Sequence, residues 1–419
     1  MTIAKALART TGSSLAIMVL LVNGETSSAP DVVGRVGEEC VVDQGLPVQV
    51  HLNNGVRVPR IGFGTAGLGH ATEEAVALAL AGGYRHIDTA QAPEWYREEA
   101  VGRAIWQATS EEASPRSSSN GGDGRSANEA HEDAVQEGGR GRADGAEGVE
   151  AARPESGAAA LSREHVFVTT KIHPRDFGAE RIGAMVATSI TNLHGVDLLL
   201  LHAPFCWPGS CPDNPTPWQD AWRELEKLYS KGAVRAIGVS NFSEGLLREL
   251  LMMATVVPAA VQNWMDPFHQ DKAVRALCAE HGVAYIAYST LGGQWAYRPS
   301  SSSSTNPLSA DPTLGAIAAA HDKSIQAVTL SWALQSGAMI LPRSSNPDRI
   351  RENLKLFVHD VGSVSSSSAG DGTARQSADG FGTGQRCRAG DPRSGQAVEV
   401  FLRDDEVRAI GRLDGTIGS

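Results

Sequence analysis

The chain has 419 residues, and 37 Lys and Arg against 48 Asp and Glu give a formal charge of −11; that balance argues against nucleic acid as a main partner. Apolar residues make up 41%, yet beyond residue 30 no run is both long and apolar enough to cross a membrane. Five scattered cysteines are too few for a disulfide scaffold, and neither a CxxC pair nor histidines at zinc spacing occur.

In chain order, residues 1–29 hold Lys5 and Arg9, then an apolar run from Leu15 to Val22, with no acid before Glu25. This predicts a cleavable targeting segment, secretory or organellar, inside a leader covering residues 1–46. Otherwise the chain is expected to be cytoplasmic. A hairpin is predicted over residues 48–58 around Asn54-Gly55. The rest of the segment 47–419 alternates. Short β-rich runs fall at 60–65, 84–89, 166–171, 196–202, 234–240, 259–262, 284–289 and 339–342. Helical apolar spacing lies between them, for example at 73–81, 218–230, 246–253, 272–281 and 327–335. Gly82, Gly232, Gly282 and Gly337 stand where helix C-caps belong.

Eight strand–helix repeats imply an α/β chain folded as a (β/α)8 TIM barrel with an N-terminal hairpin. An open dinucleotide sheet fits less well. Gly62, Gly64 and Gly67 have GxGxxG spacing, but no helix opens directly at them. Two stretches, 110–160 and 361–396, are crowded with Ser, Gly and charge, and 299–306 carries a serine run. They bury too little apolar surface to offset ordering entropy and are expected as disordered insertions. What remains besides the leader is about 280 residues, one barrel's worth. Cys206 and Cys211 are near enough to bridge under oxidising conditions, but read as two free thiols in a loop.

Catalytic groups of such barrels sit at the C-terminal ends of strands, facing one mouth. Three successive apolar runs here end in ionisable residues: Asp88, Lys171 and His202. Singly each has a structural explanation as a cap, an outward-reaching lysine or a buried histidine. Together they point to a site. A metal-dependent hydrolase with His86, Asp88, Lys171 and His202 at its strand ends is an open alternative, although a full ligand set is missing. No metal is expected.

The motifs around these residues carry a resemblance. They are Leu52-Asn-Asn-Gly-Val-Arg-Val-Pro59, Ile61-Gly-Phe-Gly-Thr65, Tyr84-Arg-His-Ile-Asp-Thr-Ala90, Val101-Gly-Arg-Ala-Ile105, Val166-Phe-Val-Thr-Thr-Lys171, Gly238-Val-Ser-Asn-Phe242 and Leu341-Pro-Arg-Ser-Ser-Asn-Pro-Asp-Arg-Ile-Arg-Glu-Asn-Leu354. With a last helix near Phe401 to Leu413, the chain resembles the aldo-keto reductase superfamily over nearly all of its core. The resemblance implies NADPH-dependent reduction of an aldehyde or ketone by a small-molecule-binding barrel, and a monomer. It implies the tetrad Asp88, Tyr96, Lys171 and His202. The tyrosine departs from the common pattern, which places it five residues after the aspartate, at Pro93; Tyr96 follows a small insertion, Pro93-Glu-Trp95.

In that scheme the lysine ammonium makes the phenol acidic enough to act near neutral pH. On the cofactor side Tyr288 matches the ring that stacks on the nicotinamide, and Ser240, Asn241 and Gln262 match its carboxamide partners. Gly64, Thr65, Ser289 and Leu291 belong to the same cleft. Arg343, Ser344 and Arg349 match the pocket for the adenosine 2′-phosphate, with Glu352 and Asn353 at the adenine; Arg343 stands where a lysine is usual. Trp95, Trp207, Trp264 and Trp295 fall in or near mouth loops and suggest an aromatic substrate pocket. The displaced tyrosine leaves open a barrel that binds NADPH and regulates rather than turns over.

Overall fold

The computed structural model describes residues 42–43, 48–110, 161–211, 215–297, 306–355, 358–360, 387–388, 396–398 and 400–417. The expected targeting segment and most of the expected insertions (111–160, 298–305 and the greater part of 361–396) lie outside these residues.

The hairpin forms as expected, with Gln49–His51 antiparallel to Arg57–Pro59. Its turn closes through Gly55 N–H donating to the Leu52 carbonyl at 2.9 Å, and Gly55 at φ +82° takes the left-handed position. Leu52 and Val58 then plug one end of the barrel.

Eight parallel strands follow: β1 (Phe63–Gly64), β2 (His86–Asp88), β3 (Phe167–Ile172), β4 (Leu198–Leu201), β5 (Ala236–Ser240), β6 (Ala260–Trp264), β7 (Ala284–Tyr288) and β8 (Met339–Ile340). Each pairs with the next. The last returns to the first, for Ile340 bridges Ile61, and Gly62 N–H donates to the Ile340 carbonyl at 2.9 Å. The sheet therefore closes.

Covered on both faces, the strands read as continuous apolar runs. In β4 all four leucines are buried. Leu198 and Leu200 face the interior with Ala236, Ala260, Ile286 and Met339, whereas Leu199 and Leu201 face the helices. Period-2 geometry puts every even-numbered residue of β4 inside.

The outer ring consists of α1 (Thr72–Ala81), α2 (Glu98–Thr109), α3 (Ala179–Leu193), α4 (Trp218–Ser230), α5 (Glu244–Met253), α6 (Lys272–Glu280), α7 (Pro312–Ala320), α8 (Ile325–Gln335), α9 (Pro347–Lys355) and α10 (Asp404–Gly411). Helices α9 and α1 pack together and close the ring. Residues 327–334 of α8 are buried all round, because α7 and α10 cover the side away from the sheet. Gly102 lets α2 and α3 touch, since a Cβ there would lie 1.6 Å from the Asn192 carbonyl oxygen.

Gly82 caps α1 as expected, with ordinary helical φ, and Gly83 at φ +108° makes the left-handed exit after it. Two expectations need correction. Asn306, placed in the second insertion, is an ordered cap: its Oδ1 accepts from Leu308 N–H, and its Nδ2 donates to the Leu291 carbonyl at 2.7 Å. Parts of the leader and third insertion form a short ladder, Val42–Asp43 with Cys387–Arg388, and Val358–Asp360, just before that insertion, pairs with Gln396–Val398 at its end. Among the described residues no helix is long and apolar enough to cross a membrane.

Candidate active site

The strand register assembles the site. Lys171, His202, Ser240, Gln262 and Tyr288 share the parity of the interior hydrophobes of their own strands, nearer the mouth, and Asp88 shares that of buried His86. Lys171 is 1% exposed, and its Nζ donates to Asp88 Oδ1 at 2.6 Å and to the Thr89 carbonyl at 2.9 Å. Gln262 Nε2 donates to the other carboxylate oxygen at 2.7 Å. Burial pulls the Lys171 pKa down while Asp88 pulls it back up. The pair thus holds a positive charge in a dry place.

Tyr96 comes to this pair. Its ring centroid is 5.2 Å from Lys171 Nζ, and its ring meets His202 edge-on at 5.9 Å. The loop bringing it there is fixed by Tyr96 N–H and Trp95 N–H, which both donate to the Ala92 carbonyl. The phenol differs from expectation in one respect. Burial raises its pKa above the ordinary tyrosine value, Asp88 raises it further, and Arg343 opposes them. Desolvation and the Asp88 carboxylate outweigh the Arg343 cation.

His202 continues β4, its backbone N–H donating to the Ile172 carbonyl at 2.9 Å. Its Nδ1 is buried with no partner among the described residues. Burial holds the ring far below the usual histidine pKa, with Lys171 adding to the effect. It is a neutral imidazole.

The cofactor candidates fall into two groups. Near the tetrad, Tyr288 Oη donates to Asn241 Oδ1 at 2.6 Å, Asn241 Nδ2 donates to the His202 carbonyl at 2.7 Å, and Ser240 Oγ donates to the Gln262 carbonyl at 2.6 Å. Ser289 and Leu291 lie in the next turn, where Leu291 accepts from Asn306. Gly64 and Thr65 end β1; the Thr65 hydroxyl is spent on the Asp88 carbonyl at 2.8 Å. Further out, Arg343 and Arg349 are exposed and form no ion pair with another described residue. Ser344 Oγ accepts from Asn346 N–H, and Asn346 Oδ1 accepts from Asp348 and Arg349 N–H to start α9. Glu352 and Asn353 lie two turns along that helix.

The four tryptophans separate. Half-buried Trp207 packs edge-on against His202 at 5.3 Å. Trp95 is 53% exposed and meets Tyr297. Trp264 and Trp295 pack together and both donate to Asp266 Oδ2, at 2.9 and 2.8 Å. Asp266, absent from the expected site, also accepts Phe268 and His269 N–H.

The reading of Cys206 and Cys211 as free thiols is overturned: they are bonded, with Cα atoms 5.8 Å apart. The turn between them, Ser210 N–H to the Trp207 carbonyl and Gly209 at φ +74°, brings the ends together. His173 was also missed. It stands two residues past Lys171, on the same interior parity, and contacts both His202 and Trp207. Period 2 carried beyond the strand would have found it.

His86, the pivot of the hydrolase alternative, lies fully buried below the mouth. Its nitrogens are engaged by Thr169 Oγ1 at 2.9 Å and the Pro59 carbonyl at 3.3 Å. Among the described residues no His, Cys, Asp and Glu group is arranged to hold a metal.

A model of the aldo/keto reductase family matches residues 123–364. The 9,11-endoperoxide prostaglandin H2 reductase of Trypanosoma cruzi is 32% identical over 312 residues, 74% of this chain and 85% of that protein. Glyoxal reductase of Bacillus subtilis is 32% identical over 313 residues, 74% of this chain and 86% of that protein. Among solved structures, a Bombyx mori aldo-keto reductase in complex with NADP superposes with a TM-score of 0.60 at 24% identity, covering 87% of this chain and 92% of that one.

Proposed function

This chain belongs to the aldo/keto reductase family, and we propose that it reduces an aldehyde or ketone to the alcohol with NADPH. The observation that carries the reading is the convergence of Tyr96, Lys171 and His202 at one mouth, with Lys171 Nζ 5.2 Å from the phenol ring.

The donor set suits the cofactor. A carboxamide needs both donors and acceptors, which Ser240, Asn241 and Gln262 offer beside the aromatic face of Tyr288. Two arginines with no carboxylate partner among the described residues, next to the start of α9, suit a phosphate dianion, a contact that NADH cannot make. When bound, the reduced nicotinamide supplies a hydride, leaving as NADP+.

The protein's part is orientation and the proton. Neutral His202 donates a hydrogen bond to the carbonyl oxygen, an oxyanion-hole role worth about 3 kcal/mol. As the carbon gains the hydride pair, the C=O π pair moves to oxygen, which takes the Tyr96 proton. Burial keeps the phenol protonated at neutral pH, the form a proton donor needs. The cost falls on the phenolate left behind, and the Lys171 ammonium meets it at that moment, when charge develops beside it. Water reprotonates the tyrosine afterwards.

The test is NADPH oxidation against a panel of aldehydes, ketones and quinones, repeated with NADH. Turnover with NADPH preference is expected, and Tyr96→Phe abolishes it. If Tyr96→Phe keeps wild-type turnover while Lys171→Met loses it, the acid is another group. If NADPH binds and no carbonyl is consumed, the barrel is a cofactor-holding regulator.

A further inference from the structure

Beside His202 stands a second imidazole that this mechanism leaves idle. His173 is 3% exposed, and its ring meets His202 edge to face with centroids 6.2 Å apart. The Trp207 indole packs on both rings, at 5.2 and 5.3 Å. Two polar rings thus share one aromatic wall of the mouth.

The tautomer of His173 is fixed by its neighbours. Nδ1 accepts from Arg175 twice, from the backbone N–H at 3.1 Å and from Nε at 3.0 Å, so the ring proton belongs on Nε2. Arg175 is in turn clamped by Glu94, which takes its two terminal nitrogens at 2.7 and 2.8 Å. Burial, then the Arg175 cation, bring the His173 pKa down to about 4, so the ring is neutral at physiological pH. Glu94 sits in Pro93-Glu-Trp95, the same short step that carries the tyrosine to position 96. One small insertion therefore both moves the acid and sets a donor.

We propose that His173 Nε2–H selects the substrate, by holding a second oxygen on the carbon next to the reacting carbonyl. The inference rests on the reductase reading and names its substrate class: α-hydroxy carbonyls and α-dicarbonyls ahead of plain aldehydes. Two N–H donors on adjacent rings, each reaching an oxygen at about 2.9 Å, suit two oxygens separated by one carbon–carbon bond. A plain aldehyde occupies only the first. His173 is then left without an acceptor for Nε2–H beside Trp207 and His202, and an unpaired donor in a site built to hydrogen-bond is the arrangement that rejects an analogue most strongly. The second oxygen takes no part in the redox step; hydride and proton go to the first carbonyl as before.

The measurement is kcat/KM for methylglyoxal and glycolaldehyde, each divided by kcat/KM for propanal, in the wild type and in His173→Leu and His173→Gln. NADPH binding, followed by fluorescence, reports that each variant is folded. In His173→Leu the ratio falls about 10- to 100-fold, chiefly through a higher KM for the oxygenated substrates. His173→Gln, whose amide nitrogen reaches the place of Nε2, recovers part of it. An unchanged ratio, or equal loss on all three substrates, overturns the selecting role while the reductase reading stands. Failure of the wild type to consume any of the three carbonyls overturns both.

Discussion

Lys171 is a cation with almost no water around it, so its neighbours decide both what it costs and what it does. Asp88 and Thr89 take its donors, and Gln262 takes the carboxylate oxygen that Lys171 leaves free. Removing the carboxylate strands the ammonium: Asp88→Asn is expected to lower stability by about 3–5 kcal/mol. Lys171→Met removes the charge that stabilises a phenolate, and kcat is expected to fall about 10²- to 10⁴-fold with NADPH affinity little changed. The double variant separates the two effects. With neither charge present the buried pair is replaced by neutral groups, so Asp88→Asn with Lys171→Met should recover most of the melting temperature and none of the activity. Recovery of turnover in the double variant would show that the lysine acts through structure alone.

The loop between β4 and α4 shows how an element turns sequence into pocket shape. The Cys206–Cys211 bridge closes a six-residue ring around Trp207, the residue that walls both histidines. Chain-entropy arithmetic gives a bridge over so short a ring about 2 kcal/mol. Replacing both cysteines with serine, or reducing the bridge, is expected to cost a few degrees of melting temperature and a several-fold rise in KM, with kcat nearly kept; a fall in kcat alone would place Trp207 outside the binding wall. This bridge was not legible in the sequence. A spacing of five allows it, but only the Trp207–Ser210 turn brings the two ends face to face. By contrast the placing of Asp88, Lys171 and His202 at one mouth was legible, because apolar runs covered on both faces leave an ionisable end residue conspicuous, and period 2 says which way it points. Tyr96 was legible only through its motif, since it sits on a loop where no period applies. Pro174 ends the β3 run and hid His173 one step beyond it.

At the scale of the molecule, the chain's insertions and its buried titratable groups answer different demands. Ser110, at the end of α2, and Leu161, shortly before β3, flank residues 111–160; both belong to a helix-to-strand connection, at the end of the barrel opposite the mouth. Deleting 115–157 is therefore expected to leave kcat/KM within about twofold. The interior is less tolerant of acid. His86 and His173 are held down to about 4, and His202 lies well below the usual value, each because burial opposes its charged form. The unfolded chain takes these protons near pH 6.5, so below that point it binds more protons than the folded chain and stability falls as pH falls. Fully buried His86 alone contributes a loss of about 2 kcal/mol by pH 5. Asp266 works the other way. Burial raises its pKa to about 6, so the folded chain is protonated there before the unfolded one, and between pH 6 and 4 it gains stability as pH falls. Burial raises the pKa of the Glu98 carboxyl as well, so it works in the same direction as Asp266. Two carboxyls against three imidazoles leave a net loss, and the melting temperature should drop from pH 7 to pH 5. The Asp266→Asn variant, without that offset, should drop more steeply still over the same range. A melting temperature flat across the interval would mean that these histidines find water or partners in the folded chain, and that the mouth is wetter than the packing of Tyr96, His202 and Trp207 implies.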